Sequence, residues 1–261
     1  MRVGFIGAGH IARALGQGWS RPALEGAPAL TYLDASRDAA QLAAEATGAD
    51  VASGLVQLVE RSDVIIVAVR PQHVAGVLAE VAPLLGGRAL VSVAAGVSLA
   101  ELSAALPARA RVARVMPNVA ASLGLGVFLF VPGTLADTAG DVERLFALGG
   151  EVVVLDERHF DSATAVAGCM PGMLALLVRD FARAGERRGL DPEVARRLAI
   201  AGVHGAAGVI ARDGDPDAVI AAAATPGGMT AAAIAALEER DIAEAVALAV
   251  HAAAERAKEL K

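Results

Sequence analysis

Aromatic residues make up only 3% of the 261 residues, with one Trp, one Tyr and six Phe. Alanine instead carries much of the 55% apolar fraction, which points to closely packed helices or to a compositional bias. Cysteine is nearly absent as well. The single Cys169 excludes an internal disulfide and a cysteine metal cluster, and it suits a reducing cytoplasm. His73 and His159 have no metal-like partners in spacing, so no metal is expected. The formal charge is −6, and basic residues fall singly or in pairs such as Arg187-Arg188 and Arg196-Arg197. No basic stripe tracks a phosphate backbone, which argues against a nucleic-acid partner. The longest uncharged stretch, 115–136, is interrupted by Pro117, Asn118, Gly124, Gly126, Pro132 and Gly133, so no membrane helix is expected there. Met1-Arg2 runs directly into an apolar strand without a signal-peptide pattern, and the cytoplasm is the expected compartment.

What is present is a regular alternation. Short β-rich runs at 3–6, 30–33, 64–69, 89–93, 111–114, 126–131 and 152–155 are separated by helical runs at 11–19, 37–47, 73–85, 99–105 and 137–148. Such alternation predicts a mostly parallel sheet with helices on both faces. Residues 64–69 are all apolar, as in a strand buried on both sides. Beyond residue 156 no strand is legible. Helices are expected over 160–166, 173–189, 192–212, 216–223 and 230–258, the last one broken. Asp191-Pro192 supplies an N-cap acceptor followed by proline at the first helical position. The stretch 199–211 is nearly all small and apolar, so it should be buried on every side. A domain of about 105 residues rarely hides such a helix alone, and a second subunit is the expected cover.

Gly7-Ala8-Gly9-His10-Ile11-Ala12 fits G-x-G-x-x-A between a strand and a helix, which is the context this pattern requires. Gly7 permits the tight turn, Gly9 lets a pyrophosphate approach the backbone, and Ala12 lets the helix pack close to the sheet. The phosphates then meet the N–H groups of the helix N-terminus. At the end of the second strand the signals conflict. Asp34 is placed to take ribose hydroxyls and favours NAD, whereas Arg37 is placed to hold the extra phosphate of NADP.

Pro226-Gly227-Gly228 opens into a helix near Thr230. Glycines expose backbone N–H groups and a helix start aims several at one point, which makes a carboxylate trap without a basic side chain. Thr225 is placed to add a hydroxyl. On residues alone a plain helix–helix turn is an equal reading. His204, among Gly202, Gly205 and Gly208, reads as a packed core histidine. Arg179, Arg183 and Arg187 read as a solvated helix face beside Asp180 and Glu186.

These motifs, in this order, resemble the pyrroline-5-carboxylate reductase family over nearly the whole chain. The resemblance rests on Gly4-Phe5-Ile6-Gly7-Ala8-Gly9, Ala68-Val69-Arg70-Pro71-Gln72, Ser92-Val93-Ala94-Ala95-Gly96-Val97, Arg114-Val115-Met116-Pro117-Asn118 and Thr225-Pro226-Gly227-Gly228-Met229-Thr230. It implies an α/β Rossmann domain over 1–156 and an all-α dimerisation domain over 157–261. The implied reaction is reduction of a cyclic imine, by default 1-pyrroline-5-carboxylate to proline. For the cofactor, NADP with NAD as the alternative, it implies Gly7, Ala8, Gly9, His10, Ile11, Ser36, Arg37, Ala68, Val69, Arg70, Pro71, Ala95 and Asn118. For the small-molecule imine it implies Glu157, Thr225, Gly227, Gly228, Met229 and Thr230. Thr230 stands where the family places a hydroxyl near the imine nitrogen; the competing role for it is a helix cap. The chain departs from the family pattern at Val119, Ala120, Ala167, Met170, Met173 and Met229, mostly toward apolar residues. A relative that reduces another imine or carbonyl, and a nucleotide sensor without turnover, are the rival readings. A homodimer or larger homo-oligomer is expected.

Overall fold

The computed structural model describes residues 1–22 and 24–259. Residues 260 and 261, the end of the expected helical half, lie outside the described residues. The first part of the chain runs β1 (Arg2–Ile6), α1 (His10–Trp19), β2 (Ala29–Leu33), α2 (Arg37–Thr47), β3 (Asp50–Val51), α3 (Leu55–Glu60), β4 (Val64–Val67), α4 (Pro71–Val81), β5 (Ala89–Ser92), α5 (Leu99–Ala104), β6 (Arg111–Met116), β7 (Gly126–Val131), α6 (Ala139–Ala147) and β8 (Gly150–Val154). The strands form one sheet in the order β3-β2-β1-β4-β5-β6-β7-β8. All neighbours are parallel except β6 and β7. The link between those two is too short for a crossover and holds only the turn Val119–Leu123, so the chain must reverse. The strand order turns back between β1 and β4, and in open α/β sheets ligands bind outside the carboxyl ends of the strands at that place.

The sheet is covered on both faces, and the pleat assigns each residue to a face. Along β4, Val64 and Ile66 join one buried cluster while Ile65 and Val67 join the other. The scarce rings are concentrated rather than spread. Phe5, Trp19, Tyr32, Phe128, Phe130 and Phe146 all lie in the first cluster, where Phe5 stacks on Tyr32 with centroids 4.9 Å apart. Burial pushes the Tyr32 phenol up to about 12, so it stays neutral behind α1. Sequence periodicity misses β3 and α3, which have two and six residues; neither spans enough periods to register.

By internal contacts the chain divides into one unit of Met1–Cys169 with the end of the chain from Ala253, and a second unit of Met170–Ala252. By these contacts residues 157–169 fall in the first unit. This stretch contains α7 (Phe160–Ala163) and a π-helical turn at Thr164–Gly168. Phe160 anchors it by packing on Leu129 and Val131.

The second unit is helical: α8 (Met170–Arg187), α9 (Pro192–Asp213), α10 (Pro216–Ala223), α11 (Met229–Glu238) and most of α12 (Ile242–Glu259). Asp191 caps α9 by accepting from the N–H groups of Glu193 and Val194. Within the single chain, α9 buries only Ala195. The expectation that 199–211 is enclosed on every side therefore fails for one chain: Ile200 is 53% exposed. His204 is likewise exposed rather than packed in a core. The helices Glu157–Arg187 and Pro192–Asp213 are long and apolar enough to cross a membrane by length and composition.

Candidate functional site

The loop after β1 is built for a close ligand. Gly7 sits at φ +100°, where a side chain is strained, and a Cβ there would stand 2.6 Å from the Ala68 carbonyl oxygen. The loop is pinned by Gly7 N–H donating to Leu33 O at 2.8 Å. Gly9 is the N-cap of α1, supplies no side-chain acceptor, and has open space where a Cβ would stand. The first N–H groups of α1, at His10 and Ile11, thus face the loop without a side-chain cap. Ala12 is fully buried against the sheet. These features fit a dinucleotide pyrophosphate, whose negative charge the helix start favours.

A groove of about 890 Å³ opens beside this loop at the strand-order reversal. Gly7, Gly9, Asp34, Ala68, Val69 and Arg70 line it, together with Gln72, His73, Gly76 and Val77. Pro71 is the first residue of α4 and Arg70 its N-cap, so a second helix N-terminus without a side-chain cap meets the same groove. Gln72 and His73 belong to that first turn. The signal for both was the helix start after β4, where Gln72 closes the motif that begins at Ala68. Among the described residues no group of His, Cys, Asp and Glu is arranged to hold a metal ion.

The conflict at the end of β2 takes physical form. Asp34 accepts from Ala8 N–H at 2.7 Å and from Ser36 N–H at 2.8 Å. Ser36 caps α2 by accepting from Ala39 N–H. Arg37, exposed at the first position of α2, lines a hollow of about 320 Å³ with Asp34, Gln41 and Ser53. Its guanidinium makes no hydrogen bond or ion pair among the described residues.

Two residues expected at ligands also make contacts inside the fold. Asn118 donates to Ala167 O and accepts from the N–H groups of Ala120 and Val127, so its amide ties the β6–β7 link to the π-helical turn. Glu157 Oε1 accepts from Leu99 N–H at 2.7 Å and from Arg114 Nη1 at 2.9 Å. The Arg114 side chain is 3% exposed and lies over the Phe160 ring at 3.8 Å. Charge compensation of a buried guanidinium accounts for an acid at 157. Ala95 is half-buried after β5 and does not line the groove.

In the second unit, Gly227 turns at φ +72° and Gly228 N–H donates to Thr225 O at 2.9 Å. Gly228 is the N-cap of α11 and offers no side-chain acceptor, so the first N–H groups of this helix are unspent. Thr230 is the second residue of that helix. It is exposed, and its hydroxyl makes no hydrogen bond among the described residues. The helix-cap role considered for Thr230 is thereby overturned, because Gly228 occupies the cap. Met229 is 92% exposed.

Comparison with known proteins covers the whole chain. The sequence pattern described as pyrroline-5-carboxylate reductase dimerisation matches residues 157–260. That described as NADP oxidoreductase, coenzyme F420-dependent, matches residues 2–96. The chain is 33% identical to a pyrroline-5-carboxylate reductase of Pisum sativum over 99% of its own length and 95% of that protein. It is 32% identical to one of Aquifex aeolicus over 100% and 97%. Among solved structures, a pyrroline-5-carboxylate reductase from Coxiella burnetii superposes with a TM-score of 0.90 at 26% identity, covering 100% of this chain and 98% of that one. A pyrroline carboxylate reductase from Plasmodium falciparum with NADP bound superposes with a TM-score of 0.84 at 26% identity, over the same shares.

Proposed function

The chain belongs to the pyrroline-5-carboxylate reductase family, and from that premise we propose that it reduces a cyclic imine with NADPH, by default 1-pyrroline-5-carboxylate to L-proline, in the cytoplasm. The observation that carries this reading is the turn before α11, where uncapped backbone N–H groups and the free Thr230 hydroxyl stand together. The N–H groups of Met229 and Thr230, in the first turn of α11, suit a substrate carboxylate, since a helix start attracts anions. When bound, NADPH supplies the hydride. The C=N bond becomes C–N as its carbon gains hydride and its nitrogen gains a proton. Thr230 donates a hydrogen bond to that nitrogen and orients the incoming proton. Threonine is too weak an acid to release its own proton, so the proton comes through water. Gly7 and Gly9, with the first turns of α1 and α4, hold the pyrophosphate end of the cofactor.

A panel assay tests this. NADPH oxidation is followed with 1-pyrroline-5-carboxylate and with imines that lack the carboxylate, and the product is identified. The expected outcome is turnover of the carboxylated imine to proline. A preference for imines without a carboxylate would favour the second reading, reduction of a different and more apolar substrate. Met229 motivates it, because it is almost wholly exposed beside Thr230 where the family pattern has threonine. Binding of NADPH with no turnover of any imine would leave a nucleotide-sensing protein.

Arg37 is an exposed cation in the hollow beside Asp34. Replacing Arg37 by Ala should weaken NADPH binding about tenfold or more, since a hydrogen bond to a charged group contributes roughly 1.5–3 kcal/mol, and should leave NADH binding unchanged. Equilibrium titration of both dinucleotides checks this. A native protein that strongly prefers NADH would remove Arg37 from the selection.

The apolar surface of α8 to α12 is expected to be covered by a second copy rather than by a bilayer. Leu177, Phe181, Leu198, Ile200, Leu237 and Leu248 are all exposed in the single chain, while Arg179, Asp180 and Arg183 interrupt the apolar run along α8. Obligate interfaces of this apolar kind commonly bury about 2,000 Å² or more. Light scattering at micromolar protein should give at least a dimer; a stable, active monomer defeats the expectation.

A further inference from the structure

An acid at the end of the second strand of a dinucleotide fold ordinarily holds ribose hydroxyls. Asp34 occupies that place, but both of its oxygens already accept from backbone N–H groups, at 2.7 Å from Ala8 and 2.8 Å from Ser36. The two donors belong to different segments, the glycine loop and the N-cap of α2. Ala8 is buried inside the glycine loop. Ser36 starts α2 and directly precedes Arg37. We propose that Asp34 is a positioning residue that ties the glycine loop to the β2–α2 turn, and that choice between the two dinucleotides is left to the turn it holds. The proposal rests on the dinucleotide reading above.

The chemistry of the side chain makes this separable from a ribose-binding role. An ionised carboxylate is acceptor-only, so both oxygens suit N–H donors. Charge-assisted bonds of this length belong to the stronger class. Asparagine has the same shape but one oxygen and one NH2. In its place, one of the two backbone donors would face another donor. A ribose ligand tolerates that exchange, because an amide both accepts from and donates to hydroxyls. The tie does not tolerate it.

The test combines amide hydrogen exchange on the cofactor-free protein with equilibrium titration of NADPH and NADH. In the native protein the N–H groups of Ala8 and Ser36 should exchange slowly although both lie outside regular structure. Asp34→Asn and Asp34→Ala should both speed that exchange. Each should weaken both dinucleotides by a similar factor, roughly tenfold if the ordered loop falls to about a tenth of the population. A loss confined to NADH would make Asp34 a ribose ligand, and a gain confined to NADPH would make it a repelling charge; either overturns the proposal. Fast exchange at Ala8 in the native protein overturns it with no variant required, which covers the case of variants that do not fold. A native protein that binds neither dinucleotide overturns the cofactor reading and the selectivity clause, while slow exchange at Ala8 still upholds the tie.

Discussion

Thr230→Val should lower turnover by roughly 10²–10⁴-fold, the range for a positioned proton-transfer group, while thermal unfolding and NADPH affinity stay close to native. The argument begins with position. Thr230 is one residue inside α11, behind the Gly228 cap, and its hydroxyl is not used by the fold. Valine keeps the volume and the β-branch, so an exposed substitution of this kind should move stability by no more than about 0.5 kcal/mol. The glycine loop belongs to the other unit and is untouched. What is lost is a hydrogen bond needed as the imine nitrogen takes its proton. Thr230→Ser restores a hydroxyl at the same Cβ and should recover most of the rate. Turnover and melting measured on the same preparations decide it. A valine variant that reduces the imine at the native rate would make the hydroxyl dispensable and move proton delivery to water or to another side chain.

Breaking the Arg114–Glu157 pair should cost far more stability than its partly exposed acid suggests. The guanidinium is buried between Phe160 and Glu157, and its Nε has no partner. Removing one partner of such a pair leaves an uncompensated buried charge, a loss of about 3–5 kcal/mol. Glu157 is 31% exposed, so Glu157→Met should fall at the lower end of that range. It also deprives Leu99 N–H of its acceptor at the start of α5. Arg114→Met should destabilise comparably by leaving the acid unpaired. The double replacement should recover much of the loss, because apolar groups of similar volume often replace a buried pair at little cost. Chemical denaturation of the four proteins gives the coupling. Additive losses would mean that the pair does not act as a unit. If Glu157 instead contacts the imine, as the family resemblance implies, Glu157→Gln should raise KM with little change in melting.

The glycine loop, the helix starts at Arg37 and Pro192 and the alternation of the first 155 residues were legible because each is a local signal. A tight turn needs glycine at positive φ, a cap needs an acceptor beside the helix, and a buried parallel strand needs a continuous apolar run. The apolar face of α9 was legible too, and within the single chain it stays largely exposed. The turn at Gly227-Gly228 could be read as a possible anion site. The place of Thr230 behind the cap could not, because a one-residue shift in a helix start changes what a side chain is for and local pattern does not resolve it.

By itself, then, the order of residues determined the sheet-and-helix architecture, the dinucleotide loop and the exposed turn before α11, all through interactions within a few residues. Tertiary structure alone decided what the charged and amide groups do. Asp34 meets Ala8 across 26 residues, Arg114 meets Glu157 across 43, and Asn118 meets Ala167 across 49. An acid or an amide carries the same hydrogen-bonding capacity whether it faces a ligand or a backbone. Only the folded chain brings an internal donor within bonding distance of each group.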